Sequence, residues 1–142
     1  MAGAELIGKE EMKEVQEVLE TGILMRYGFD KERWVYKVRQ FEEDFAKYCG
    51  AKFALGVTSG SAALKVALTA MDICPGDEVI VPAFTFLATY ESVLEMGAVP
   101  VMADIDETLN LDPDDIERKM STATKAVIPV HMCGSAAHID RI

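Results

Sequence analysis

The chain has 142 residues, half of them hydrophobic and 27% charged, a composition typical of one globular domain rather than of a disordered segment. Fourteen Lys and Arg against 24 Asp and Glu give a net charge of −10. This balance argues against a nucleic acid or an anionic membrane as the main partner, because either requires a basic face. Without a membrane-spanning run or a signal-peptide pattern, and with three widely spaced cysteines, we expect a cytoplasmic protein with free thiols and no metal site.

Two helices are predicted in the first 50 residues. From Lys9 to Glu20 the apolar side chains share one stripe, and Gly22 follows as a stop signal. From Val35 to Tyr48 the apolar residues recur at spacings of three and four, and Gly50 ends that helix. Residues 23–34 interrupt the pattern and are predicted to be a loop. We therefore expect an N-terminal helical segment over residues 1–50.

After Gly50, short apolar runs alternate with helical patterns. The predicted strands are residues 53–57, 78–81, 99–103 and 126–130. The predicted helices are residues 62–71, 85–96 and 112–120, and the last begins with an Asp-Pro-Asp-Asp start signal. Short apolar strands of this kind belong to a parallel sheet that is covered on both faces and joined by right-handed crossovers. Residues 51–142 are therefore predicted to form a layered α/β domain.

The most informative segment runs from Gly56 to Leu64, where a predicted strand ends in a small polar turn and a helix begins at once. The free N–H groups of a first helical turn, with hydroxyls from Ser59 and Ser61, can bind a phosphate-sized anion. In the alternative, a serine only caps the helix and Gly60 only provides the bend. The pattern is neither GxGxxG nor a Walker A motif.

Further candidate residues follow the later strands at the same edge of the sheet, where ligands bind in open α/β sheets. Phe84 and Phe86 could stack on a flat cofactor or could simply fill the core. Asp104 and Asp106 could bind metal or act as acid and base, although the run around them is typical of a solvated loop. His131 ends the fourth predicted strand and could be either functional or packed.

From about Phe41 to its end, the sequence resembles the N-terminal part of the DegT/DnrJ/StrS-type sugar aminotransferases, which use pyridoxal 5′-phosphate (PLP) on the type I aminotransferase fold. The matching segments lie in order over some hundred residues and are Phe41 to Ala46, Tyr48 to Gly50, Thr58 to Leu64, Pro75 to Phe86, Gly97 to Val101 and Thr124 to His131. By this resemblance, the chain holds part of the three-layer αβα large domain, incomplete at its C-terminus.

The resemblance also implies roles for individual residues. The turn that holds the cofactor phosphate would consist of Ser59, Gly60, Ser61 and Ala62. Phe86 matches the aromatic position that stacks on the pyridine ring. Arg26 lies in the substrate-facing N-terminal region of the family, and His131 matches a motif histidine that is followed by a glycine loop. We expect these last two residues to contact substrate.

The resemblance implies an amino group transfer, typically from glutamate, to a keto sugar that is nucleotide-linked or related, in a protein that is a homodimer when complete. The lysine that forms the Schiff base with PLP, and the acid beside the ring nitrogen, would come from sequence after Ile142. The 142 residues alone are therefore expected to be inactive. Two alternatives stay open: a dehydratase or regulator of the same fold that lacks the lysine, and a non-catalytic, flavodoxin-like module for anion binding or interaction.

Overall fold

The computed structural model describes residues 3–26 and 36–142. The predicted loop lies outside the described residues from position 27 onward, as does the predicted helix start at Val35. The chain divides into two compact units, Met1–Gly56 and Val57–Ile142. No helix of the described residues combines the length and apolar character that crossing a bilayer requires.

The first unit contains two helices, α1 (Lys9–Thr21) and α2 (Lys37–Cys49). Both end at the predicted glycines, which adopt left-handed backbone conformations with φ of 68° at Gly22 and 64° at Gly50. The Lys37 ammonium at the start of α2 bonds two carboxylates of α1, at 2.5 Å from Glu14 and 2.6 Å from Glu17. This bridge joins the two helices.

The second unit contains three helices and three strands within the described residues. In chain order they are α3 (Gly60–Ala70), β1 (Glu78–Pro82), α4 (Ala88–Glu95), β2 (Val99–Ala103), α5 (Pro113–Lys119) and β3 (Thr124–Val127). The strands form a parallel sheet in the order β2-β1-β3, and Ile80 pairs with Val101 on one side and Val127 on the other. Helices α4 and α5 supply the connections that parallel neighbours require.

The core of the second unit lies on both faces of β1, because successive side chains of a strand point to opposite faces. Val79 and Val81 are fully buried in a cluster with Leu68 of α3 and Val93 of α4. On the other face, Ile80 is buried in a cluster with Ala103, Leu111 and Ile116. The prediction of an α/β sheet that is covered on both faces is confirmed.

The prediction of a strand at residues 53–57 was wrong, and the residues that the structure describes form a sheet of three strands instead of the expected four. A strand exists only with a hydrogen-bonded neighbour, and residues 53–57 pair with none of the three described strands. Phe53 and Leu55 are 78% and 55% exposed, so their apolar character does not mark core here.

Element boundaries also differ from the prediction, most of all at α4 and β3, and α3 begins at Gly60 instead of Ala62. The helix expected from Thr85 begins at Ala88, because residues 83–87 form a bend after β1. The strand expected at residues 126–130 is β3, Thr124–Val127. Ile128 N still donates to Ile80 O at 2.9 Å, after which the chain leaves the strand conformation.

Candidate functional site

A cleft of about 770 Å³ opens in the second unit, beyond the carboxyl ends of β1 and β3. Three segments line it: the first turns of α3 with Gly60, Ser61 and Leu64, the bend after β1 and the start of α4 with Phe84, Thr85, Phe86, Ala88 and Thr89, and residues 130–133 after β3. Several of the predicted site residues are therefore brought together at one edge of the sheet. This is the edge at which parallel α/β sheets bind ligands.

The N-terminus of α3 is capped by Ser59, whose Oγ accepts a hydrogen bond from Ala62 N at 3.1 Å. The capping role that the sequence left open is thus present, and Ala62 N is already satisfied by it. Gly60 and Ser61 line the cleft, and a Cβ added at Gly60 would meet no protein atom within 4 Å. The first-turn N–H groups carry partial positive charge, so this open space suits an anion.

The bend after β1 is held by hydroxyl groups. Tyr90 donates its O–H to the carbonyls of Pro82 at 2.9 Å and Ala83 at 3.1 Å, and the hydroxyls of Thr85 and Thr89 lie 3.0 Å apart. Phe84 is 52% exposed and Phe86 is 79% exposed. Neither phenylalanine fills the core, so the bend presents aromatic surface at the cleft.

The third wall carries His131. Its Nδ1 accepts a hydrogen bond from Ala137 N at 3.0 Å, so Nδ1 bears no proton. The neutral imidazole then carries its proton on Nε2. His131 is therefore a hydrogen-bond donor at the edge of the cleft.

The two acids that follow β2 do not line the cleft. Asp104 N donates to Asp115 Oδ2 at 2.7 Å, and Asp106 accepts from the hydroxyl and the N–H of Thr108. The hydrogen bond from the Thr108 hydroxyl is the main cause that lowers the pKa of Asp106 below its usual value. Within residues 3–26 and 36–142, no three His, Cys, Asp or Glu side chains are grouped to hold a metal ion.

Arg26 lies in the first unit, where it is paired with Glu42. Its Nε donates to both carboxylate oxygens, at 2.7 and 2.8 Å, and its Nη2 lies 2.7 Å from Oε2. Glu42 also accepts from Gly56 N at 2.8 Å. The pKa of Glu42 is lowered mainly by the hydrogen bond from Arg26 and next by the hydrogen bond from Gly56 N.

Sequence reasoning missed several residues of the cleft. Thr85 and Thr89 line it, and their spacing of four residues directly after a strand end was an available signal. Met132 also lines it and donates its N–H to Asn110 Oδ1 at 2.9 Å. Asn110 is 22 residues earlier in the chain, so no local pattern could have linked the two.

A family model for the DegT/DnrJ/EryC1/StrS aminotransferase family matches residues 5–142. The chain belongs to this family. The match covers nearly all of the sequence and confirms the resemblance that the motifs from Phe41 to His131 predicted.

Curated relatives extend the match. The chain is 49% identical over 138 residues to the spore coat polysaccharide biosynthesis protein SpsC of Bacillus subtilis (strain 168), covering 96% of this chain and 33% of that protein. It is 39% identical over 135 residues to the dTDP-3-amino-3,6-dideoxy-alpha-D-galactopyranose transaminase of Aneurinibacillus thermoaerophilus, covering 94% and 35%. The chain thus spans about a third of the length of these relatives.

Solved structures share the fold. The crystal structure of 3-amino-5-hydroxybenzoic acid synthase superposes with a TM-score of 0.87 at 40% identity, over 95% of this chain and 34% of that one. The structure of NtdA from Bacillus subtilis, with the cofactor PMP bound, superposes with a TM-score of 0.82 at 34% identity, over 96% and 31%. The α/β fold of this chain is therefore part of the fold of these larger proteins.

Proposed function

We propose that these residues form the phosphate-binding and ring-stacking part of a PLP-dependent aminotransferase that moves an amino group, supplied by glutamate, to a nucleotide-linked keto sugar. The observation that carries the proposal is the cleft, in which a helix N-terminus and an exposed aromatic side chain meet at one sheet edge. The membership of the chain in an aminotransferase family and its likeness to a dTDP-amino-sugar transaminase favour this reading of the cleft.

The cofactor phosphate is assigned to the turn of Ser59, Gly60, Ser61 and Ala62. The residues fit such a group, because the space beside Gly60 is open and the first turn of α3 offers N–H donors. The Ser61 hydroxyl adds a donor, and the Ser59 hydroxyl can donate its proton while its oxygen caps Ala62. A dianionic phosphate at this position is favoured by the helix dipole.

Phe86 is assigned to stacking on the cofactor ring. Its side chain is 79% exposed at the cleft, which is unfavourable for phenylalanine in water and is relieved when a flat ring covers it. When bound, PLP supplies a pyridine ring that draws electrons away from the reacting carbon. The likeness to a PMP-bound structure favours this cofactor, since PMP is the amino form of PLP.

Substrate contact is proposed for His131 and Arg26. His131 offers Nε2–H as a donor to an oxygen, and its Nδ1 is held by Ala137 N. The Arg26 side chain is 45% exposed beside its pairing with Glu42, so it keeps surface for a second anionic or hydroxylated group. A homodimer is proposed for the complete protein from the family resemblance alone.

We infer further that the 142 residues alone perform no transamination. The reaction requires a lysine amine that holds the cofactor and transfers protons, and no lysine is among the cleft-lining residues that the structure describes. This inference is tested by incubating the purified chain with PLP, glutamate and a dTDP-linked keto sugar. We expect no amino sugar, and turnover by the chain would overturn the inference.

The phosphate site is tested by titrating the 15N-labelled chain with inorganic phosphate and with PLP while recording amide spectra. We expect shifts centred on Gly60, Ser61 and Ala62 with either ligand, and on Phe86 with PLP only. In Gly60→Ala, the added methyl group meets no atom within 4 Å apart from its chain neighbours and the backbone of its own helix, so the protein remains folded. The methyl group occupies the space proposed for the anion, so phosphate affinity should fall about tenfold. Shifts that avoid the first turn of α3 would overturn the proposed phosphate site.

A further inference from the structure

Asn110 is a fully buried polar side chain outside the cleft, and both the oxygen and the nitrogen of its amide are hydrogen-bonded. Its Oδ1 accepts from Met132 N at 2.9 Å, and its Nδ2 donates to Thr108 Oγ1 at 2.9 Å. Its backbone carbonyl accepts from Asp106 N at 2.9 Å. The partners define the orientation of the amide, because an N–H donor on Met132 requires the oxygen. Asn110 thus connects the loop after β2 to the cleft wall after β3.

The wall that Asn110 holds has an unusual backbone. Cys133 adopts φ of 51° and Gly134 adopts φ of 87°, and the left-handed region is costly for a residue with a side chain such as Cys133. Such a conformation persists only where the surroundings determine it. Two hydrogen bonds hold the residues around this turn. Before the turn, Met132 N donates to Asn110 Oδ1, and across it Ala137 N donates to His131 Nδ1.

We propose that Asn110 is a positioning residue of the cleft, which fixes Met132 and thereby the orientation of the His131 imidazole. The acceptor Oδ1 is the atom that matters, because it is the only part of Asn110 that bonds to the cleft wall in the described chain. The inference rests on the proposed function in one respect: a fixed His131 serves catalysis only if this cleft is the cofactor site.

Two substitutions at Asn110 separate positioning from general stability. Asn110→Leu keeps the number and branching of the side-chain heavy atoms and removes both the acceptor and the donor. Asn110→Asp keeps an oxygen opposite Met132 N and loses the donor to Thr108, at the cost of burying an acidic group. If Asn110 has a purely structural role, the protection of the Met132 and Ala137 amides falls in proportion to the loss of global stability in both variants. If Asn110 positions the cleft wall, Asn110→Asp keeps the protection of the Met132 and Ala137 amides relative to β1, even if this variant is less stable than Asn110→Leu.

Leu111→Ala is the matched control, because Leu111 is the fully buried neighbour and packs with Ile80 instead of the cleft wall. Thr108→Val serves as a variant that remains folded, since Thr108 is exposed and its hydroxyl accepts from Asn110 Nδ2. Like Asn110→Asp, it removes the bond to Thr108 and keeps Oδ1, so the protection of the Met132 amide should stay close to that of wild type.

The experiment is amide hydrogen exchange by NMR on the full 142-residue chain, with the amides of β1 as the internal reference. In Asn110→Leu we expect the protection of Met132 and Ala137 to fall at least about tenfold relative to β1. Leu111→Ala should lower the protection of all amides by a similar factor. A uniform loss in Asn110→Leu, or a loss at Met132 that leaves Ala137 unchanged, would overturn the proposal.

Titration with inorganic phosphate distinguishes a failure of this inference from a failure of the proposed function. If phosphate shifts no amide of α3 but the exchange pattern holds, the proposed cofactor site fails and Asn110 still positions His131. If phosphate binds at α3 and the exchange pattern is uniform, the site stands and the role of Asn110 is refuted.

Discussion

Glu42 binds the guanidinium of Arg26, 16 residues earlier in the chain, through both of its carboxylate oxygens at 2.7 and 2.8 Å. The two side chains differ in burial: the Glu42 carboxylate is 5% exposed and the Arg26 side chain 45%. The cost of removing one partner therefore depends on which side chain is left without its partner. Without its partner, Arg26 can be solvated by water, whereas Glu42 without its partner remains a buried charge.

This asymmetry predicts that Arg26→Met destabilises the first unit at pH 7 more than Glu42→Gln does, by roughly a factor of two in lost unfolding free energy. Gln keeps an acceptor for Gly56 N, whereas Met removes every contact from Arg26 and leaves the Glu42 carboxylate with the bond from Gly56 N–H. Urea unfolding of both variants measures the difference. An equal loss in the two variants would contradict the predicted asymmetry.

The same pair predicts a pH dependence. The bond from Arg26, followed by the bond from Gly56, lowers the pKa of Glu42 in the folded chain below the usual 4.5. Because the folded pKa is depressed, the pair stabilises the fold above about pH 4.5, and this stabilisation is lost as the pH falls through the folded pKa. Urea midpoints measured from pH 7 down to pH 3 should therefore decrease.

The Arg26→Met variant supplies the control for this pH dependence. Without the guanidinium, the pKa of Glu42 rises, so the contribution of this group to acid destabilisation shrinks. A carboxyl 13C titration of Glu42 reports its pKa directly. An unchanged titration in Arg26→Met would show that Arg26 does not cause the shift.

The local signals in the sequence predicted much of the fold. Gly22 and Gly50 end their helices in the left-handed conformation, and Asp112 caps α5 through a 2.9 Å bond from Asp114 N. Strands β1 and β2 coincide with the apolar runs that predicted them. Each of these features depends on residues within a few positions of one another.

Features that depend on distant partners could not be predicted. The apolar run at 53–57 was predicted to be a strand, yet strand formation depends on a neighbour that the pattern does not specify. Glu42 reads as one more acid on an amphipathic helix, and only the fold brings Arg26 and Gly56 to it. Asn110 reads as a loop residue, although it is buried and holds the cleft wall.

Gly97 is predicted to be the least replaceable glycine of the second unit. Its φ is +73°, and a Cβ added there would lie 3.0 Å from Pro75 Cγ. Gly76 has a similar φ of +94°, but a Cβ there would meet nothing within 4 Å. We expect Gly97→Ala to cost about 2 kcal/mol and Gly76→Ala about 1 kcal/mol in urea unfolding, because only the former adds a clash to backbone strain. The reverse order would contradict this account.

The two serines at the start of α3 are predicted to respond differently to substitution. Ser59 Oγ caps Ala62 N at 3.1 Å, so Ser59→Ala should lower stability by about 1 kcal/mol and also weaken phosphate binding. Ser61 is exposed and lines the cleft, so Ser61→Ala should leave stability within about 0.5 kcal/mol and weaken phosphate binding about tenfold. Denaturant curves and phosphate titrations measure both effects. Equal behaviour of the two variants would contradict the distinct roles.

Phe86 is predicted to contribute to ligand binding and almost nothing to stability. Its side chain is 79% exposed, so Phe86→Ala should change the free energy of unfolding by less than about 0.5 kcal/mol. The loss of a stacked ring should weaken PLP binding by up to about tenfold, and Phe86→Tyr should retain binding because its ring has the same face. Inorganic phosphate lacks a ring, so its affinity should be unchanged in the Phe86 variants and in Phe84→Ala. Phe84→Ala, at the same bend and 52% exposed, is the matched control. A loss of PLP affinity in Phe84→Ala equal to that in Phe86→Ala would show that general hydrophobic surface, and not stacking by Phe86, holds the cofactor ring.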